Sequence, residues 1–81
     1  MTTSSASAFG ETLRRRRLDR GLTQEGLAEA ADLHLNHVSF LERGLRTPSL
    51  DVVLQIARGL GVPAGELVAE VEGLLAGGPS S

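Results

Sequence analysis

Leu22-Thr-Gln-Glu-Gly-Leu-Ala-Glu-Ala-Ala31, followed shortly by Leu41-Glu-Arg-Gly44, decides the fold. In the first stretch Thr23 is a good helix cap, and Glu25 falls in the first turn, where the helix dipole favours an acid. Leu27, Ala28 and Ala31 recur on one face, and the small alanines permit close approach of a second helix. Gly26 in this segment costs about 1 kcal/mol relative to Ala. The second stretch closes another short amphipathic segment. Val38 and Leu41 stand three apart with Leu33 just ahead of them, and Gly44 supplies the stop. Two short helices, 23–31 and 34–43, joined by a brief turn form an arrangement that can place one helix in a groove.

Three more helices fit the punctuation on either side. The first spans 8–20, with Ser7 as cap, Phe9 and Leu13 one turn apart, and Gly21 as stop. The fourth starts at the cap Ser49 after Pro48 and ends between 59 and 61. Its Leu50, Val53, Leu54, Ala57 and Leu60 recur at spacings of three and four, which predicts a buried stripe. Pro63 opens the fifth, 63–75, where Leu67, Val68, Val71, Leu74 and Leu75 repeat with helical period. No segment alternates with the period of a strand. The expected fold is all-α, a five-helix bundle over 8–75, with small polar tails at 1–7 and 76–81 expected to be disordered. Helices this short depend on tertiary packing for their stability.

Composition narrows the function. The 81 residues suffice for one domain, and 41% hydrophobic and 22% charged residues are ordinary for a soluble globular chain. The absence of cysteine excludes disulfides and thiolate metal sites. Apolar runs fall far short of the ~18 residues that span a bilayer. The first eight residues carry no export pattern, so a cytoplasmic protein is expected. All eight basic residues are arginine, and the net charge is −2. Residues 1–46 hold seven arginines against six acids, whereas 47–81 hold only Arg58 against Asp51, Glu66, Glu70 and Glu72. The first half is therefore the one suited to an anionic partner, with the acidic half facing away.

Taken in order, Leu22–Ala31, Val38, Leu41-Glu-Arg-Gly44, Pro48-Ser-Leu50, Ile56-Ala57 and Leu60-Gly-Val62 resemble the Xre family of phage-repressor and Cro-type, lambda-repressor-like helix-turn-helix domains, over roughly residues 9–72. The length and five-helix plan are also similar to the controller proteins of restriction–modification systems. The resemblance implies a sequence-specific, DNA-binding transcriptional regulator in a bacterial cytoplasm or phage nucleoid. It would act as a homodimeric repressor or autoregulator that inserts its third helix into the major groove. The alternative is a protein-interaction module or an antitoxin-like DNA-binding partner of another protein, kept open by the pI of about 5.6 and by apolar residues on an outward helix face.

Candidate contacts follow from that helix. By helical geometry Leu35, Asn36, Ser39, Phe40 and Arg43 point outward. Asn36 can pair with adenine N6 and N7, and Ser39 can reach phosphate or a base edge. Leu35 and Phe40 are apolar on a face that should be wet. Each could meet a thymine methyl, or Phe40 could fold back onto the first helix or the loop after Gly44. Arg43, Arg46 and Thr47 are placed to touch phosphate, and His34 and His37 can do the same. The amide of Gln24 either donates to phosphate, as the resemblance implies, or is a plain exposed first-turn residue.

Controller proteins often carry Arg at the position of Leu35, so their guanine contact cannot be transferred. His34 stands where Ser or Thr is common, and His37 where a Tyr often contacts the backbone. The resemblance also implies an ion pair between Glu42 and Arg17. The charge run itself reads as a solvated face, with Arg14, Arg15 and Arg16 mainly solvent-facing or one of them near the DNA backbone. His34 and His37 are an i, i+3 pair without a specified third ligand, so neither metal nor cofactor is expected.

Val68, Val71, Leu74 and Leu75 are more than one small core can easily cover, which implies a symmetric dimer on double-stranded DNA with a near-palindromic operator, the alternative being a helix that merely closes the monomer core. No nucleophile–base constellation or phosphate-cradling glycine loop is present, so neither enzymatic activity nor a small-molecule ligand is expected.

Overall fold

The computed structural model describes residues 4–77. Five helices follow one another: α1 (Ser5–Asp19), α2 (Gln24–Ala31), α3 (Leu35–Glu42), α4 (Leu50–Leu60) and α5 (Ala64–Leu75). Three begin on a hydroxyl cap. Ser4 accepts from the Ser7 amide at 3.1 Å, Thr23 from Gly26 at 2.9 Å and Ser49 from Val52 at 3.2 Å. Each satisfies one of the amide donors that a helix start leaves unpaired.

α1 starts earlier than its sequence pattern predicts. The cap is Ser4 rather than Ser7, and residues 5–7, expected within a disordered tail, form the first turn. Two serines three apart offer the same cap chemistry, and packing decides between them. Gly44, with φ +71°, brings the loop after α3 against the Ser7 backbone, and a Cβ there would lie 3.1 Å from Ser7 Cα. The additional turn thus has a tertiary partner. The expectation of disorder at residues 1–3 and 78–81 lies outside the described residues.

The core comprises Phe9 and Leu13 of α1, Leu27, Ala28 and Ala31 of α2, Val38 and Leu41 of α3, Val53, Ile56, Ala57 and Leu60 of α4, and Leu67 of α5. The buried stripe of α4 differs from the one its spacing predicts. Leu50 is 71% and Leu54 50% exposed, while Ile56 is fully buried. At 100° per residue, positions 53, 56, 57 and 60 cluster on one side of the helix, and 50 and 54 fall on its flank.

Two close approaches set the frame for α3. A Cβ on Gly10 would lie 2.8 Å from the Glu42 carbonyl oxygen and collide with that of Leu41, so α1 meets the end of α3 backbone to backbone. Between α2 and α3 the chain turns through Asp32, the one non-glycine residue at positive φ (58°) among the described residues. Asp tolerates this left-handed conformation better than most side chains do.

Candidate nucleic-acid interface

α3 is held from below and open above. Val38 and Leu41 are fully buried, whereas Leu35 is 39% exposed and Asn36 is exposed. His34 occupies the cap position, is exposed and makes no side-chain capping bond. His37, Ser39 and Phe40 are half-buried. Arg43 caps the C-terminal end, and Arg46 and Thr47 follow in the loop to α4, all three exposed. Neither Arg43 nor Arg46 has a carboxylate within ion-pair distance among the described residues.

Phe40 has a partner within the chain. The Arg46 guanidinium lies over its ring, 5.3 Å from the centroid. Of the three partners open to Phe40 from sequence, a thymine methyl, the first helix and the loop after Gly44, the loop supplies this contact. The contact gives the ring an attractive cation and holds Arg46 beside the helix.

The base of α3 is fixed by charge. Arg17 Nε donates to Glu42 Oε2 at 2.5 Å and Nη2 donates to Oε1 at 3.0 Å, while Nη1 donates to the Leu22 carbonyl at 2.8 Å. The two side chains are only 10% and 3% exposed. Glu42's hydrogen bond holds the Arg17 pKa above its ordinary value, against the opposing cost of burial. Gln24 joins this pair, its Nε2 donating to Glu42 Oε1 at 3.0 Å. Arg17, Thr23, Gln24, Glu25 and Leu35 line one open depression, which brings the start of α2 and the start of α3 together.

The remaining arginines of α1 are less solvated than sequence implies. Arg16 Nε donates to Glu70 Oε1 at 2.6 Å and a second nitrogen lies 3.9 Å from Glu66, while Arg15 reaches Glu70 Oε2 at 3.4 Å. Arg16 therefore leaves the solvated set. Glu66 and Glu70, one turn apart on α5, face α1, and Glu70 is 54 residues from Arg16 in sequence. Only Arg14 of the run is exposed and unpaired among the described residues.

On α5 Val68 and Leu75 are each 45% exposed, and Val71 and Leu74 are half-buried. A small apolar cavity, lined by Ser5, Phe9, Thr47, Pro48, Val53, Val68 and Val71, connects that helix to the loop after α3. The exposure of Leu50 was not anticipated. Its place directly after the Ser49 cap, a turn ahead of the buried set, was the available signal. His34, His37, Asp32 and Leu33 border a shallow depression, and the described residues contain no cluster of three metal-capable side chains. No single described helix is long and apolar enough to cross a membrane.

A helix-turn-helix family model, HTH_3, matches residues 13–67. Control protein C.BamHI of Bacillus amyloliquefaciens is 39% identical over 69 residues, covering 84% of this chain and 85% of its own. The clp gene regulator ClgR of Corynebacterium glutamicum superposes with a TM-score of 0.86 at 30% identity, covering 94% of this chain and 81% of that one. Restriction–modification controller protein C.Esp1396I, solved bound to a 19 base pair DNA duplex, superposes at 0.79 with 26% identity, covering 86% of this chain and 93% of that one.

Proposed function

The chain belongs to the helix-turn-helix family HTH_3, and on that premise we propose that it is a cytoplasmic, DNA-binding transcriptional regulator that acts as a homodimeric repressor or autoregulator. The observation that carries this is the two-sidedness of α3: Val38 and Leu41 fully buried beneath, Leu35, Asn36 and Arg43 exposed above, with Arg46, which has no carboxylate partner among the described residues, alongside. In the major groove Asn36 reads adenine and Leu35 packs on a thymine methyl. Arg43, Arg46, Thr47 and Gln24 hold phosphates, supported by His34, His37 and Ser39. Phe40 serves chiefly to carry Arg46.

The exposed Val68 and Leu75, with Val71 and Leu74 beside them, are the surface through which two copies pair. Pairing would set the two α3 helices ~34 Å apart, one turn of B-DNA, on a near-palindromic operator. The likeness to C.Esp1396I, which was solved bound to a DNA duplex, supports the reading.

Selection from a randomised duplex pool, sequenced and followed by salt titration, tests the proposal. Enrichment of a near-palindrome bound with steep salt dependence is the expected result. Absence of enrichment, with only weak binding at low salt, would overturn it in favour of a partner-dependent protein module. In sedimentation, Leu75→Asp should shift the mass toward monomer by placing a charge on the paired surface, and an unchanged dimer would remove Leu75 from the interface.

A further inference from the structure

We propose that Glu42 is a positioning residue for Gln24, so that a buried carboxylate that never touches nucleic acid presets a phosphate-binding amide. The proposal rests on the DNA-binding reading above. Glu42 ends α3 with its side chain 3% exposed, and Arg17 engages both of its oxygens. Oε1 is shared, accepting from Arg17 Nη2 and from Gln24 Nε2, each at 3.0 Å. A carboxylate only accepts hydrogen bonds, so the edge of Gln24 that faces it must be the amino edge. That fixes the amide flip and directs one N–H inward. The second N–H of the same nitrogen is left to donate elsewhere, at the rim of the depression shared with Leu35.

A glutamine on a helix surface otherwise loses considerable rotamer freedom when it is held by a ligand. Here the hydrogen bond to Glu42 has already restricted it. Arg17 in turn neutralises Glu42, so its negative charge does not oppose an approaching phosphate. The three side chains tie α1, α2 and the end of α3 together, and the amide that reaches DNA from α2 is set by the helix that reads the bases.

The test uses the full chain and a random-sequence duplex, because phosphate contacts do not depend on sequence. Gln24→Met should weaken binding about fivefold, the effect of losing one hydrogen bond, and leave the salt slope unchanged, since no cation is removed. Glu42→Gln should weaken binding by a smaller factor in the wild-type background and by less than twofold in the Gln24→Met background. A carboxylate that is only a nearby negative charge predicts the opposite sign, tighter binding of Glu42→Gln in both backgrounds, and that result overturns the proposal.

Because Glu42→Gln leaves Arg17 buried without a counter-charge and can fail to fold, a second measurement uses the unmutated chain. Nitrogen-15 relaxation of the Gln24 side-chain amide should show it rigid before DNA is added, and its resonances should shift when duplex is added. A freely rotating amide, or an unmoved one while the duplex binds, overturns positioning and leaves the DNA-binding function intact. No duplex binding at low salt overturns both.

Discussion

Arg14 to Arg17 on α1 and the pair Arg43 and Arg46 at the end of α3 carry the same side-chain chemistry to different ends. Three of the four α1 guanidiniums are held by carboxylates from other helices, Arg17 by Glu42 and Arg15 and Arg16 by Glu70. Arg43 and Arg46 have no such partner among the described residues and stand exposed. Four arginines in a row look like the polyanion-binding feature of this sequence, yet the structure uses most of them to hold helices together. A chain of net charge −2 can still present unpaired cations at α3, because part of its acid content is matched internally.

The strongest way to break that contrast is Arg17→Met. It would leave Glu42 buried without a counter-charge, which typically costs about 3–5 kcal/mol. A domain of this size has a total stability on the order of 4–12 kcal/mol. Urea unfolding should therefore show a large drop in midpoint or an unfolded chain. An unchanged midpoint would mean that the pair is not structural, and the α1 run would have to be reassigned to solvent.

On the other side of the contrast, Asn36→Ala should cost about 1–3 kcal/mol on the enriched site and relax preference at one base position. An equal loss on random duplex would assign Asn36 to the backbone instead. Arg43→Ala should weaken binding to any duplex and lower the salt slope by about one, with stability changed by less than about 0.5 kcal/mol. A slope that does not move would place Arg43 with the structural arginines.

The parts of this arrangement legible in sequence were those governed by short-range rules. Thr23 and Ser49 announce their helices through a hydroxyl three residues ahead of an unpaired amide, and Val38 and Leu41 declare the inner side of α3 by spacing. The pairing of Arg17 with Glu42 came only through family resemblance, since twenty-five residues separate them. Nothing local could indicate that Glu66 and Glu70 face Arg16 or that Gln24 points its amide at Glu42, and for Phe40 the loop that carries Arg46 was only one of three partners open from sequence. The start of α1 was misplaced because Ser4 and Ser7 are chemically equivalent and only the contact with Gly44 distinguishes them. Leu50 and Leu54 were misplaced because hydrophobicity alone does not separate the centre of a stripe from its flank.

The smallest effect gives the finest discrimination. Arg16 and Glu70 are each a little over one quarter exposed, joined at 2.6 Å, with Glu66 further away. Glu70's hydrogen bond raises the Arg16 pKa above its ordinary value. α5 places only Leu67 fully in the core, and these pairs fasten its middle turns to α1. Partly exposed pairs contribute about 1 kcal/mol or less and are screened by salt. Arg16→Met keeps most of the stem and removes the charge, so the stability gap to the unmutated chain should be small in dilute buffer and narrower in concentrated salt. A gap that persists in salt would assign the effect to packing of the stem. The DNA-binding salt slope should not change, because an arginine held by two carboxylates has no phosphate to neutralise. If the slope fell by one, Arg16 would belong with Arg43, and the division between the two sets of arginines would have to be redrawn.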